Sequence, residues 1–223
     1  MRIVFVSDTH SMIPTNDIPD GDVIVCSGDI SNRGSEYDVK AFSRWYESLP
    51  HAHKIVIAGN HDFSFERTPE LAVDWLTKDN DIIYLIDQAI ELDGVKFYGS
   101  PWQPEFCNWA FNLSRDTGEL GEKWAAIPED TEVLITHGPP AGILDLCDHG
   151  EGVGCEELLN EVKHRVKPKI HVFGHIHEAY GTHRTDDTLF INASTCTVRY
   201  KPTNPPIVVD LVNGKTTLQR SRR

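Results

Sequence analysis

Ile3-Val4-Phe5-Val6-Ser7-Asp8-Thr9-His10 sets the reading of the whole chain, because an unbroken run of four apolar residues gives way at once to Ser, Asp, Thr and His. A run without a polar face fits a strand buried on both sides, as in a largely parallel sheet. Val23-Ile24-Val25-Cys26 and Lys54-Ile55-Val56-Ile57-Ala58 repeat the pattern, each followed by polar residues and a turn. Between these two runs Val39, Phe42, Trp45, Tyr46 and Leu49 recur at helical spacing, which predicts an amphipathic helix over about residues 35–49. A β-β-α-β opening of this kind places the chain in the α/β class, with parallel central strands.

Farther along, Thr68 and Pro69 read as the N-cap and first turn of a second helix, with Leu71, Ala72, Trp75 and Leu76 on its inner face. Strands are expected at 82–85, 89–92 and 95–98, the last two joined by the hairpin pair Asp93-Gly94. Another is expected at 133–136, then a helix marked by Leu158, Leu159, Val162 and Val166, then a strand at 170–173. The runs at 189–192 and 207–211 read as β-hairpins. No internal repeat and no Pro/Ser/Gly-rich linker divides the chain, so residues 1–223 are expected to form one domain of two stacked mixed β-sheets flanked by helices.

Composition narrows the function classes. Hydrophobic residues at 39% and charged residues at 25% suit a packed core. Against 21 Lys and Arg stand 34 Asp and Glu, a formal charge of −13, which disfavours extended nucleic acid and anionic membranes as partners. No apolar run is long enough to cross a bilayer, and Met1-Arg2 leads into a strand without a signal-peptide layout, so a cytoplasmic protein is expected. The five cysteines are odd in number and scattered, with no C-x-x-C pair, which argues against a disulfide framework or a zinc knuckle.

The eleven histidines are more informative. Asp8 and His10 follow the first strand, and side chains two apart on extended backbone point the same way. Gly28-Asp29 follows the second strand, Gly59-Asn60-His61-Asp62 the third, His137 a later one, and Gly174-His175-Ile176-His177 another. Open α/β sheets bind ligands at the carboxyl ends of their strands, so these groups are expected to converge on one crevice. Taken singly, each reads as a cap, a turn or a surface residue; their succession at strand ends is what carries the metal reading. Asp8, His10, Asp29, Asn60, His137, His175 and His177 supply oxygen and nitrogen donors and no sulfur, a set suited to two divalent ions such as Mn, Fe, Co, Ni or Zn. Ions about 3.5–4 Å apart suit phosphoryl chemistry. His51, His53, His149, His164, His171 and His183 read as surface or packing residues.

The order D-x-H, G-D, G-N-H-D, H, G-H-x-H resembles that of the calcineurin-like metallophosphoesterase superfamily. Ser7 to Ser11, Lys54 to Asp62, Thr136-His137-Gly138-Pro139-Pro140 and Ile191 to Thr197 are similar to its small metallophosphoesterase-domain (MPPED-type) branch, a likeness that spans about residues 2–212. Some animal members of that branch lack one histidine of the last motif and are poor enzymes, whereas His175 and His177 are both present here. The resemblance implies an α-β-β-α sandwich and a metal-dependent phosphoric ester hydrolase. It assigns Asp8, His10 and His177 to a first ion, Asn60, His137 and His175 to a second, and Asp29 to a bridging position, with a metal-bridging hydroxide as nucleophile. His61 is left to bind phosphate or to protonate the leaving oxygen, with Asp62 either orienting it or capping a turn.

Substrate choice must come from loops near the metals, because no insertion separates the motifs. Ser100 to Phe111 gathers aromatic faces, of which Trp102 and Phe106 are the expected substrate contacts, together with Asn60 and His61. Bases stack on such faces at roughly 1–3 kcal/mol each, so a nucleotide fits. Trp109 and Phe111 read at least as well as core cover, and Arg67, Arg115 and Arg199 are basic residues within which the sequence sets no order. The expected activity is that of a phosphodiesterase on cyclic nucleotides or other small phosphodiesters. The alternatives are a phosphomonoesterase, a protein phosphatase and a metal-stabilised nucleotide-binding protein without turnover. Oligomeric state is not legible.

Overall fold

A computed structural model describes residues 1–219. In chain order its strands are β1 (Arg2–Val6), β2 (Val23–Cys26), β3 (His53–Val56), β4 (Ile82–Tyr84), β5 (Gln88–Leu92), β6 (Val95–Ser100), β7 (Gln103–Pro104) and β8 (Asn112–Leu113). They continue as β9 (Val133–Thr136), β10 (Ile170–Phe173), β11 (Gly181–Arg184), β12 (Leu189–Asn192), β13 (Ile207–Val212) and β14 (Lys215–Gln219). The α-helices are α1 (Glu36–Glu47), α2 (Phe63–Arg67), α3 (Pro69–Thr77), α4 (Glu119–Ala125) and α5 (Glu156–Glu161).

Two six-stranded sheets carry the architecture, ordered β14-β13-β1-β2-β3-β4 and β11-β12-β10-β9-β6-β5. In the first, β1 to β4 are parallel and β13 and β14 add antiparallel edges. In the second, β6, β9, β10 and β12 are parallel, with β5 and β11 antiparallel outside them. The expected two stacked mixed sheets are therefore present, and the Asp93-Gly94 turn, with both residues at positive φ, closes the β5–β6 hairpin.

The unbroken apolar runs are explained by burial on both faces. Ile3 and Phe5 point, with Val23, Val25 and Ile55, toward Val133, Ile135, Ile170, Val172 and Ile191 of the other sheet. Val4 and Val6 face the opposite way, onto Val39, Phe42 and Tyr46 of α1 and Ala72 and Leu76 of α3. Leu134 and Phe173 pack outward in the same manner against Leu120 and Trp124 of α4 and Leu158 of α5. Four layers follow, helix, sheet, sheet, helix. Among the described residues no helix is long and apolar enough to cross a membrane.

Several expectations need correction. Ser35 caps α1 as its position requires, its Oγ accepting from Asp38 N at 3.1 Å. Thr68 makes no such bond, because its hydroxyl donates to the Ser64 carbonyl of α2 instead. Leu71 is 54% exposed; only Ala72 and Leu76 of α3 are fully buried. Residues 189–192 form the expected hairpin, β12 pairing antiparallel with β11, and β12 also joins the parallel set beside β10.

Candidate metal and phosphoester site

The parallel strands of both sheets deliver the chemistry-bearing residues at their carboxyl ends. Asp8 and His10 follow β1, Asp29 follows β2, Asn60 and His61 follow β3, His137 follows β9, and His175 and His177 follow β10. An isolated parallel bridge between Ser7 and Ser194 ties the two sheets together where these ends meet. The turns are tight, and Asp8, Asp29, His10 and His175 adopt φ of 51°, 51°, 46° and 67°. Left-handed backbone at four non-glycine residues of one site is strain that the surrounding contacts hold in place. Two glycines make room: a Cβ on Gly28, at φ 105°, would lie 2.6 Å from His137 Nδ1, and one on Gly174 would lie 2.0 Å from Asp8 Oδ2.

The donor atoms converge. Asp8, His10 and His177 form one group with ligand atoms within 4.8 Å of one another, and Asp8, Asp29 and His137 form a second. A third, of His10, Asp29 and His61, overlaps both. Asp29 Oδ2 lies 3.8 Å from His10 Nε2 and 3.4 Å from His137 Nε2, between the two halves of the cluster. His137 Nε2 is 2.9 Å from Asn60 Oδ1. His175 belongs to none of these groups: its backbone N–H donates to both Asp8 carboxylate oxygens at 3.1 Å, and its ring packs edgewise on His137 at 5.1 Å.

Contacts behind the donors fix their orientation. His137 Nδ1 donates to the Ser27 carbonyl at 2.9 Å and His177 Nδ1 to the Thr197 carbonyl at 3.1 Å, so each ring turns its Nε2 into the cluster. Ser194 Oγ donates to Asp8 Oδ2, and the His61 N–H donates to Asp29 Oδ1 at 2.8 Å. The His10 and His177 Nε2 atoms approach to 3.1 Å. Two imidazole nitrogens aimed at one point beside a carboxylate form a donor set that a divalent transition ion fits.

Charge within the cluster is balanced. Burial drives the Asp8 and Asp29 carboxyls upward, yet the His177, His137 and His10 rings hold both well below the usual range. Burial works to lower His137, but Asp29 and Asp8 win and push it up to about 9; His177 is raised against burial by Asp8. Burial takes His10 and His175 down to about 4. The two carboxylates thus favour the protonated forms of His137 and His177, whose protons a metal would displace.

His61 and Asp62 behave differently from expectation. Asp62 does not touch the His61 ring. Its carboxylate accepts from Gly59 N, Ile30 N, Ser31 N and Ser31 Oγ at 2.7–3.2 Å, tying the β2 and β3 loops together. Burial and the charge of Asp29 push its pKa up to about 7 against the pull of these donors. The atom that meets His61 Nδ1 is the Asn32 carbonyl, at 2.9 Å. Trp109 stacks on the same ring at 4.2 Å, with the Arg33 guanidinium 5.4 Å from the indole centroid.

The aromatic loop divides in two. Trp102 turns away from the crevice, its Nε1 donating to Asp87 and its ring lying under Lys123. Phe111 is buried as core cover, whereas Phe106 (55% exposed) and Trp109 line a crevice of about 260 Å³ with Asn60, His61, His177 and Tyr200. Tyr200 and Asn32 carried no motif signal. Arg115 is engaged by the Val153 and Gly154 carbonyls, and Arg67 lies over Phe63.

The chain has relatives among known proteins. The chain is 46% identical over 233 residues to metallophosphoesterase domain-containing protein 1 of Homo sapiens, which covers 94% of this chain and 71% of that one. A UPF0046 protein of Caenorhabditis elegans is 41% identical over 238 residues, covering 97% and 83%. Among solved structures, the TT1561 protein of Thermus thermophilus superposes with a TM-score of 0.64 at 13% identity over 99% of both chains, which bears on the fold alone. The family model for calcineurin-like phosphoesterases matches residues 1–179, from β1 through the turn that carries His175 and His177. The chain belongs to the calcineurin-like phosphoesterase family.

Proposed function

We propose that this chain is a two-metal phosphodiesterase acting on small phosphodiesters, cyclic nucleotides among them. The observation that carries the reading is the position of Asp29, whose carboxylate lies between His10 and His137 in a cluster closed by Asp8 and His177 on one side and Asn60 on the other. Asp8, His10 and His177 are the first set of ligands, Asn60, His137 and His175 the second, with Asp29 shared. The donor chemistry fits Mn, and equally Fe, Co, Ni or Zn. Divalent ions in such a site supply Lewis-acid activation of water and of phosphoryl oxygens.

The remaining work falls to the chain's own groups. With Nδ1 donating to the Asn32 carbonyl, His61 directs Nε2 toward the crevice, where it serves as the general acid that protonates the departing ester oxygen. Trp109 holds the ring plane by stacking, and Phe106 offers an aromatic face to an organic substituent or base. Asp62 supports the site by ordering the Asp29 and Asn60 loops. The same reading takes residues 1–223 as one domain and the protein as cytoplasmic; support for the first is the shared core between the sheets.

The test is hydrolysis by Mn-loaded protein of bis-p-nitrophenyl phosphate, p-nitrophenyl phosphate, and 2′,3′- and 3′,5′-cyclic nucleotides. Faster turnover of the diesters supports the reading. Preference for the monoester refutes the diesterase assignment, and metal-loaded protein without turnover of any of them refutes the enzyme.

A further inference from the structure

Beside the metal crevice runs a larger groove of about 1240 Å³, and Phe106, His175 and Glu178 border both. Its wall carries seven carboxylates against one arginine, and that arginine is spent on the Val153 and Gly154 carbonyls. Asp145 and Glu178 accept from backbone N–H groups, and Glu151 faces His149. Glu105, Asp116 and Glu156 carry exposed carboxylates with no side-chain partner among the described residues.

A second observation is independent of this charge. Gln103 also lines the groove, is 1% exposed, and has a buried Oε1 without a hydrogen-bond partner. Its amide orientation is fixed by Asn112, whose Nδ2 donates to the Phe106 and Cys107 carbonyls, leaving Asn112 Oδ1 to accept from Gln103 Nε2 at 3.1 Å. Gln103 therefore cannot flip, and it presents a bare acceptor beside Gly138, where a Cβ would lie 3.9 Å from it. A buried acceptor left unpaired is costly, and a donor entering the groove recovers that cost.

We infer that this groove seats one organic substituent of the phosphate ester, and that it takes a substituent bearing an amino group and no negative charge. The inference rests on the phosphodiesterase reading above and adds to it the class of substrate. An ammonium finds the free carboxylates, its N–H finds Gln103 Oε1, and the exposed Phe106 ring offers a cation–π face. A carboxylate or second phosphate on the same substituent meets seven like charges against one guanidinium, that of Arg115.

Three p-nitrophenyl phosphodiesters test this with the Mn-loaded full chain: the 2-aminoethyl, propyl and 2-carboxyethyl esters, followed by p-nitrophenolate release. The expected order of kcat/KM is aminoethyl, propyl, carboxyethyl, with about tenfold or more between first and last at low salt and a smaller ratio at high salt. Combining Glu105→Gln, Asp116→Asn and Glu156→Gln, at exposed positions, is expected to bring that ratio within about threefold. Gln103→Met is expected to slow the aminoethyl ester more than the propyl ester. Hydrolysis of the propyl ester without an amino preference, or a preference that survives the triple substitution, overturns this inference alone. Failure to hydrolyse any of the three overturns the phosphodiesterase reading with it.

Discussion

Gly174→Ala is the smallest change that strikes the proposed metal centre. The added Cβ would fall 2.0 Å from Asp8 Oδ2 and 2.2 Å from Ser7 Oγ, far inside van der Waals contact, so Asp8 must turn away. Two consequences add. Forcing a methyl into packed surroundings costs typically 1–3 kcal/mol. Turning Asp8 also loosens the bonds it accepts from His175 N and Ser194 Oγ, each worth roughly 1.5–3 kcal/mol because the acceptor is charged. With those bonds weakened and not wholly lost, a loss of about 3–5 kcal/mol is expected, measured by urea unfolding of metal-free protein so that ion binding does not mask it. Metal content after reloading is expected to fall, because Asp8 belongs to two of the donor groups. Gly121→Ala is the control: it sits in α4 with nothing within 4 Å of the new Cβ, so helix propensity makes it neutral or stabilising by up to about 1 kcal/mol. If Gly174→Ala kept full metal content and unfolded within about 0.5 kcal/mol of wild type, the close packing ascribed to Asp8 would be wrong.

Two further outcomes follow from single side chains. Burial drives His171 down to about 3, below its ordinary value of 6.5. Since the unfolded chain takes up the proton first, its contribution to stability is complete above 6.5 and is lost as pH falls toward 3. Between about pH 7.5 and pH 5.5 this loss amounts to roughly 1.4 kcal/mol, which His171→Gln should remove from the pH dependence of the urea midpoint. Trp109→Ala removes the stacked partner of His61 while leaving every proposed ligand in place, so kcat is expected to drop roughly three- to tenfold with metal content unchanged. Loss of metal in that variant would show that the indole supports the ligands instead.

The layers and the strand-end motifs were legible because both follow from short-range pattern: apolar runs without a polar face, then glycine and a donor. What the sequence did not disclose depends on where side chains turn. Leu71 and Ala72 are equally apolar neighbours, but the start of α3 at Pro69 points one outward and the other inward. Trp102 and Trp109 are similar in composition and context, and only the Asp87 acceptor near one and the His61 ring near the other separate their roles. Asp62 follows His61 directly, yet the turn sends its carboxylate back to Gly59, Ile30 and Ser31, and a backbone carbonyl from Asn32 takes the place expected for it. The α4 helix, seven residues long, offers too few turns to show periodicity.

The acidic chain and the groove are consistent with one another. A charge of −13 argued against polyanions, and the unpaired carboxylates beside the crevice place part of that charge where a substrate's organic substituent would lie. An anionic group then meets a favourable site only at the donor cluster.

Metal content and rate measured together in His137→Ala and His61→Ala test the central division of labour most directly. After Mn loading, wild-type protein is expected to hold two ions per chain. His137→Ala is expected to lose bound metal and hydrolysis of bis-p-nitrophenyl phosphate together, as is Asp29→Ala. His61→Ala is expected to keep both ions and lose rate, on the order of 10²-fold or more for general-acid loss. Loss of metal from His61→Ala, or an unaltered rate in it, would contradict the account.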